Sequence, residues 1–345
     1  MKNAPDQWGA KQLDRKLDIQ LEAGAPPMVV TPELSTLADA LDWLRSVDDE
    51  LHAAMRSHGV LYLRGLPVRD VQDFGAVRDQ LIPQRTPYRE KATPRHSYGD
   101  DVFSSTDLPP AQPIRMHNEN SYTLDFPGTL VFCCLTAPAE GGATPVADCR
   151  AVLRDIPEHL VRRMRSSGWA LRRNYSDLVS LDWRTAFAAD RSAQVEEYCA
   201  ENLIAARWSG DDLSTSQIRA GVITHPHTGD EVWFNHMAFW NSWSLDEEIR
   251  ESLVDEFGAD GLPFDTSFGD GEPVTEEDLA AIDAAYAGAT MRRSWQSGDV
   301  MVVDNILAAH GREPFRGDRR IVVAMGDPVS VRDCLPTVPA EARFV

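Results

Sequence analysis

The stretch GDVMVVDNILAAHGREPFRGDRRIVVAM, residues 298–325, contains two apolar runs divided by a polar corner. GDVMVVDN (298–305) and RRIVVAMG (319–326) are short, valine-rich and bounded by Gly, Asp or Arg, as strands buried on both faces are. GVLYLRGL (59–66) and TLVFCCLTAP (129–138) read the same way near the other end of the chain. Strands at both ends with helical patterns between them imply one β-sandwich whose middle is a helical insertion over roughly 150–290. Strands that far apart must pair, so residues 1–345 are expected to form a single domain.

Helical signals surround these strands. Apolar residues at helical spacing run through 35–57, and Gly59 is a natural stop. A second helix is expected near 70–82. The segment 84–113, rich in Pro, Gly, Asp and Ser, reads as a loop near the mouth of a site. Ser244 with Glu247 forms a capping-box pattern before LDEEIRESLVDEF, ending at Gly258. Thr275 with Asp278 does the same before LAAIDAAYA, ending at Gly288.

Composition narrows the partners. The chain has 345 residues with 43% hydrophobic content, enough for a sizeable core. Its formal net charge of −20 argues against nucleic acid or an anionic membrane as the main partner, because both repel such a surface. Small ligands respond to local potential instead. The polar N-terminus has no signal-peptide core, and no apolar run approaches the ~20 residues that span a bilayer, so a cytoplasmic location is expected. Five cysteines without CxxC spacing suggest buried thiols, Cys133 and Cys134 among them, rather than disulfides or structural zinc.

Chemistry concentrates at a few positions. In RMHNENSY (115–122), His117 and Glu119 stand two apart, and on a strand both would face one cavity. His310, delivered by a short irregular stretch after Asp304 and Asn305, would complete a 2-His-1-carboxylate set, which leaves positions open on an octahedral Fe(II). Past His310, Arg319 and Arg320 open an apolar strand. An inward guanidinium there can hold a carboxylate by a charge-assisted pair. Thr144, in GGATP, offers a hydroxyl to the same carboxylate, and its glycines let the backbone come close.

The ordered set HxE, GGxT, GDxxxxDN and AHGRxPFxGxRR resembles the TauD/TfdA family of Fe(II)- and 2-oxoglutarate-dependent dioxygenases, from 59 to 328. Within it, the sequence is most similar to members that hydroxylate amino acids in nonribosomal peptide pathways. The resemblance implies an α+β, mainly β double-stranded β-helix (jelly roll) with flanking helices. It implies His117, Glu119 and His310 as catalytic iron ligands, and Thr144 with Arg319 or Arg320 as the 2-oxoglutarate clamp, with O2 as cosubstrate. The two arginines point to opposite faces of a strand. Arg319 is preferred because it comes first past the loop. The taurine-type pattern has a second arginine four residues beyond the clamp, where this chain has Val323 or Ala324, so a sulfonate substrate is disfavoured.

The expected activity is hydroxylation of an unactivated C–H bond of an amino-acid-type small molecule, free or tethered to a carrier protein. Desaturation or ring closure would use the same residues, and a jelly-roll binding protein without turnover is the reading from another class. Asn120, Asn235 and His236 are the substrate-side candidates. Asp100 and Asp101 could meet a substrate amine, with a solvated loop as the default. His225 and His227, in THPHTG, suggest a turn with partly exposed histidines rather than a second metal site.

Overall fold

The computed structural model describes residues 17–86, 90, 95–105, 107–176 and 180–345. Eight strands divide between two antiparallel sheets and alternate along the chain, except that Val146–Asp148 and Thr290–Met291, on either side of the insertion, share the smaller one. Val102–Ser104, Asp125–Thr136, Val300–Asp304 and Arg320–Ser330 lie in one sheet, in the spatial order Val300–Asp304, Asp125–Thr136, Arg320–Ser330, Val102–Ser104. Ile114–His117, Val146–Asp148, Thr290–Met291 and Ala308–Arg312 make the other, in the order Thr290–Met291, Val146–Asp148, Ala308–Arg312, Ile114–His117. That alternation is the double-stranded β-helix. Val60–Arg64 extends the larger sheet by pairing with Val300–Asp304, and Met28–Val30 pairs parallel to it in turn.

The apolar runs are explained by burial on both faces. Leu130, Phe132 and Cys134 point between the sheets with Val303, Ile321, Val323 and Met325. Val131, Cys133, Val302, Val322 and Ala324 point the other way, onto Leu44, Leu51, Phe74 and Val77. The latter residues belong to helices Leu37–Ser46, Asp48–His58 and Val71–Leu81, which cover the larger sheet. All five cysteines are buried and unpaired with one another. Among the described residues, no helix is long and apolar enough to cross a membrane.

Several expectations are corrected. The insertion is not only helical: Trp169–Tyr175 and Asp212–Arg219 form the centre of a four-stranded antiparallel sheet with Ala205–Ser209 and Phe264–Phe268. The adjacent Arg172 and Arg173, the second itself buried, break the apolar run of WALRRNY and mask a strand. The loop of 84–113 contains a hairpin, Ser97–Gly99 with Val102–Ser104, and its second strand opens the roll. Residues 1–16, 87–89, 91–94, 106 and 177–179 lie outside the described residues.

Two helix ends also shift. Thr275 and Asp278 form the expected capping box, but Glu276–Ala289 continues through Gly288 until Thr290 enters a strand. Helix Glu247–Phe257 is capped by Asp246, whose carboxylate accepts from the Glu248 N–H. Ser244 instead donates its hydroxyl to the Ala238 carbonyl.

Gly59 ends helix Asp48–His58 at φ +72°, and a Cβ there would lie 3.0 Å from the Leu307 Cβ. Gly59→Ala is expected to lower stability by about 1–2 kcal/mol, from the left-handed backbone alone. A urea unfolding midpoint unchanged from wild type would refute this.

Candidate functional site

The antiparallel register places His310 directly opposite His117 on neighbouring strands, and their rings lie 4.4 Å apart between centroids. His310 is therefore on a strand, Ala308–Arg312, and not on an irregular stretch. Glu119 differs in the opposite sense. Strand Ile114–His117 ends before it, so Glu119 reaches the histidines from a turn. Its Oε2 lies 3.9 Å from Nε2 of His117 and 3.7 Å from Nε2 of His310.

The three side chains are buried and converge on a space that one divalent ion could bridge. The Arg115 carbonyl lies 2.8 Å from Nδ1 of His117 and accepts its proton, which leaves the Nε2 lone pair facing Glu119. Burial pushes the His117 imidazole below 6.5 and that of His310 well below it. Neutral imidazoles with a carboxylate suit Fe(II) as a donor set. A residue with no sequence signal joins them: Nη2 of Arg95 contacts both Glu119 oxygens at 3.0 and 2.9 Å. Phe132 packs 5.3 Å from His310, and Phe239 packs 4.8 Å from His117.

Beside the triad lies the cavity shared by Arg95, Phe132, Thr144, His310 and Arg319. Arg319 donates to the Gly142 carbonyl at 2.9 Å, the Ser105 hydroxyl at 3.2 Å and Oγ1 of Thr144 at 3.3 Å. Gly142 sits at φ +66°, and a Cβ there would meet Arg319 Cδ at 3.1 Å, so the close approach needs a glycine. Among the described residues no carboxylate pairs with Arg319, and burial, with Arg312 nearby, lowers its guanidinium to about 10. A half-buried cation with only neutral partners favours an anionic ligand. Arg320 is exposed and stacks over Tyr98. Arg319 shares odd parity with Ile321 and Val323, which point between the sheets, whereas Arg320 shares that of Val322 and Ala324. Val323 and Ala324 are themselves core residues.

The substrate-side candidates divide. His236 packs 4.9 Å from His117 and hydrogen-bonds Ser121 at 2.7 Å. The Asn235 amide closes a local turn, donating to Gly221 and accepting from Met237 N–H. Asn120, at φ +53°, accepts from the Tyr122 hydroxyl and lines a different groove with Tyr198 and Asp125. Asp100 and Asp101 belong to a surface ion-pair cluster, with Arg78 and Arg85 on Asp100. His225 is more buried than its turn suggested: Nε2 lies 3.0 Å from Asp304, and Nδ1 accepts from His227 and Thr228.

Residues 24–325 match the sequence model of the taurine catabolism dioxygenase TauD, TfdA family. The chain belongs to that family. Its members are Fe(II)- and 2-oxoglutarate-dependent dioxygenases that use O2, and the jelly roll and His-Glu-His cluster agree with that. The dapdiamide synthesis protein DdaC of Enterobacter agglomerans is 36% identical over 272 residues, covering 79% of this chain and 83% of that protein. The clavaminate synthase-like protein At3g21360 of Arabidopsis thaliana is 25% identical over 287 residues, covering 80% and 83%. The crystal structure of PvcB from Pseudomonas aeruginosa superposes with a TM-score of 0.55 at 16% identity, covering 98% of this chain and 99% of that one.

The buried imidazoles carry a pH signature. His117, His236 and His310 are neutral in the fold, with burial the leading cause in each, while the unfolded chain takes up protons near 6.5. The unfolded state then binds more protons below that pH, so stability falls on acidification. The melting temperature of chelator-treated protein should hold down to pH 6.5 and drop toward pH ~5.5. The drop should be smaller in His236→Phe. Equal slopes in the two proteins would contradict the neutral assignment of His236.

Proposed function

We propose that this dioxygenase hydroxylates an unactivated C–H bond of an amino acid or amino-acid-derived molecule, free or carrier-tethered, in specialised metabolism. The observation that carries the reading is the half-buried, anion-seeking Arg319 in the cavity that His117 and His310 line, beside Glu119. Similarity to a dapdiamide synthesis protein, and to a PvcB described as an oxygenase from an isonitrile synthetic pathway, supports the choice of pathway type. We read 1–345 as one dioxygenase domain, since strands on either side of the insertion complete each other's sheets.

In this reading His117, Glu119 and His310 hold Fe(II). When bound, the iron supplies with 2-oxoglutarate and O2 the oxidation that replaces C–H by C–OH, releasing succinate and CO2. The rest is the work of the chain. Arg319 pairs with the far carboxylate of 2-oxoglutarate. Thr144 Oγ1 already accepts from Trp295 Nε1 at 3.2 Å and from Arg319, so its own proton is left to donate to that carboxylate. The neutral imidazoles keep their Nε2 lone pairs available, and Phe132 and Phe239 wall the histidines from water. His236 stands on the substrate side, against His117. No arginine occupies the sulfonate-binding position, which favours a carboxylate-bearing amino acid over a sulfonate.

The clamp is tested by substitution. Arg319→Ala should raise the 2-oxoglutarate requirement about ten- to a hundredfold, as loss of a charge-assisted pair in a partly enclosed site does. Arg320→Ala, an exposed charge, should change it about twofold at most. The assignment fails if the large effect falls on Arg320.

The activity itself is read by mass spectrometry. Protein supplied with Fe(II), ascorbate and 2-oxoglutarate is expected to add one oxygen to a member of a panel of free and carrier-loaded amino acids, with matching succinate, and His310→Ala to add none. Succinate without oxygenated product across the panel would exclude amino acids as the substrate class. No turnover with any candidate would favour a binding protein.

A further inference from the structure

Two of the three triad residues are fixed to each other by the sheet. His117 and His310 face each other across adjacent strands, so the ladder sets their separation. Glu119 lies past the end of its strand, where no ladder holds it. Arg95 meets the carboxylate oxygens themselves, and another side chain is placed to hold the backbone that carries them.

Asn305 is fully buried in the turn between strand Val300–Asp304 and strand Ala308–Arg312, which carries His310. Its Oδ1 accepts the Glu119 backbone N–H at 2.7 Å, and its Nδ2 donates to the Glu119 carbonyl at 2.9 Å. The amide thus grips residue 119 as a neighbouring strand would, through both main-chain polar groups. Nδ2 also donates to the Pro127 carbonyl at 2.8 Å, and the Asn305 carbonyl accepts from Asn118 Nδ2 at 2.8 Å. The Asn305 N–H donates to the Gly128 carbonyl at 2.8 Å. The turn around Asn305 is itself braced, because Asp304 accepts the amides of Ile306 and Leu307 and pairs with His225.

We propose that Asn305 is the positioning residue for Glu119, tying the carboxylate to the turn that leads to His310 so that all three metal donors keep one geometry. The inference rests on the reading of Glu119 as a metal ligand. Asn305 touches neither metal nor substrate and acts only through the backbone of residue 119. An aspartate there would keep the acceptor for the Glu119 N–H but would set a carboxylate against the Glu119 and Pro127 carbonyls.

Co(II) titration of the full chain, followed by its visible absorption, tests this without turnover. Asn305→Ala should weaken Co(II) binding about ten- to a hundredfold, as loss of an orienting partner does, and change the band intensities. Asn305→Asp should show a smaller loss in the same direction, and carries the measurement if the alanine variant does not fold. Asn174→Ala removes an amide with comparable bonds to Asp260, Leu262 and Ser214 in the insertion, so it should lower stability while leaving the Co(II) affinity and spectrum unchanged. Wild-type affinity and spectrum in the Asn305 variants, with Glu119→Ala impaired, would overturn the positioning role alone. An equal loss in Asn174→Ala would reduce it to general destabilisation. Wild-type Co(II) binding in Glu119→Ala would overturn the ligand reading, and this inference with it.

Discussion

The pairing of strand Ile114–His117 with strand Ala308–Arg312 is the constraint on which the site depends. It joins segments far apart along the chain, and its register sets one histidine against the other. Side chains alternate faces along a strand, so a slip by one residue would turn either imidazole away from the cavity. The larger sheet guards this register from behind. Its long ladder between Asp125–Thr136 and Arg320–Ser330 runs through residues buried on both faces, where a slip would disrupt two cores at once.

The site's electrostatics run against those of the whole chain. The protein carries a formal charge of −20, yet Arg95, Arg312 and Arg319 line one cavity. Arg312 serves the carbonyls of Leu108, Pro109 and Gln112, which anchors the loop before Ile114–His117. Arg95 meets Glu119. Arg319 has only neutral partners among the described residues, which distinguishes it from Arg95. A net charge averaged over the surface does not describe such a pocket, because buried charges are poorly screened and act over short distances.

Much of this was legible from residue order. The valine-rich runs announced strands, and HxE, GGxT and the segment around His310 announced the triad and the Thr144–Arg319 pair, because those groups need particular residue types. Other parts left no such trace. Arg95 comes from a segment that read as loop, and nothing in its neighbours marks it as a partner of Glu119. The insertion's sheet was missed because Arg172 and Arg173 interrupt the apolar pattern of its central strand. Ser244 had the spacing of a cap, but its hydroxyl meets the Ala238 carbonyl and Asp246 takes the role.

The sequence by itself determined the donor types, the strand-forming runs, and the helix stop at Gly59, because each depends on side-chain chemistry or local backbone preference. Between Arg319 and Arg320 it offered only their order past the loop. In the fold Arg319 reaches Thr144 while Arg320 lies exposed over Tyr98, a difference that exists only once the strands have paired. Nor could the chain's order show that Glu119 leaves its strand, or that Asn305 holds it there. Hydrogen bonds between residues 119 and 305 depend on the closing of the roll, and no local pattern encodes a contact that only closure creates.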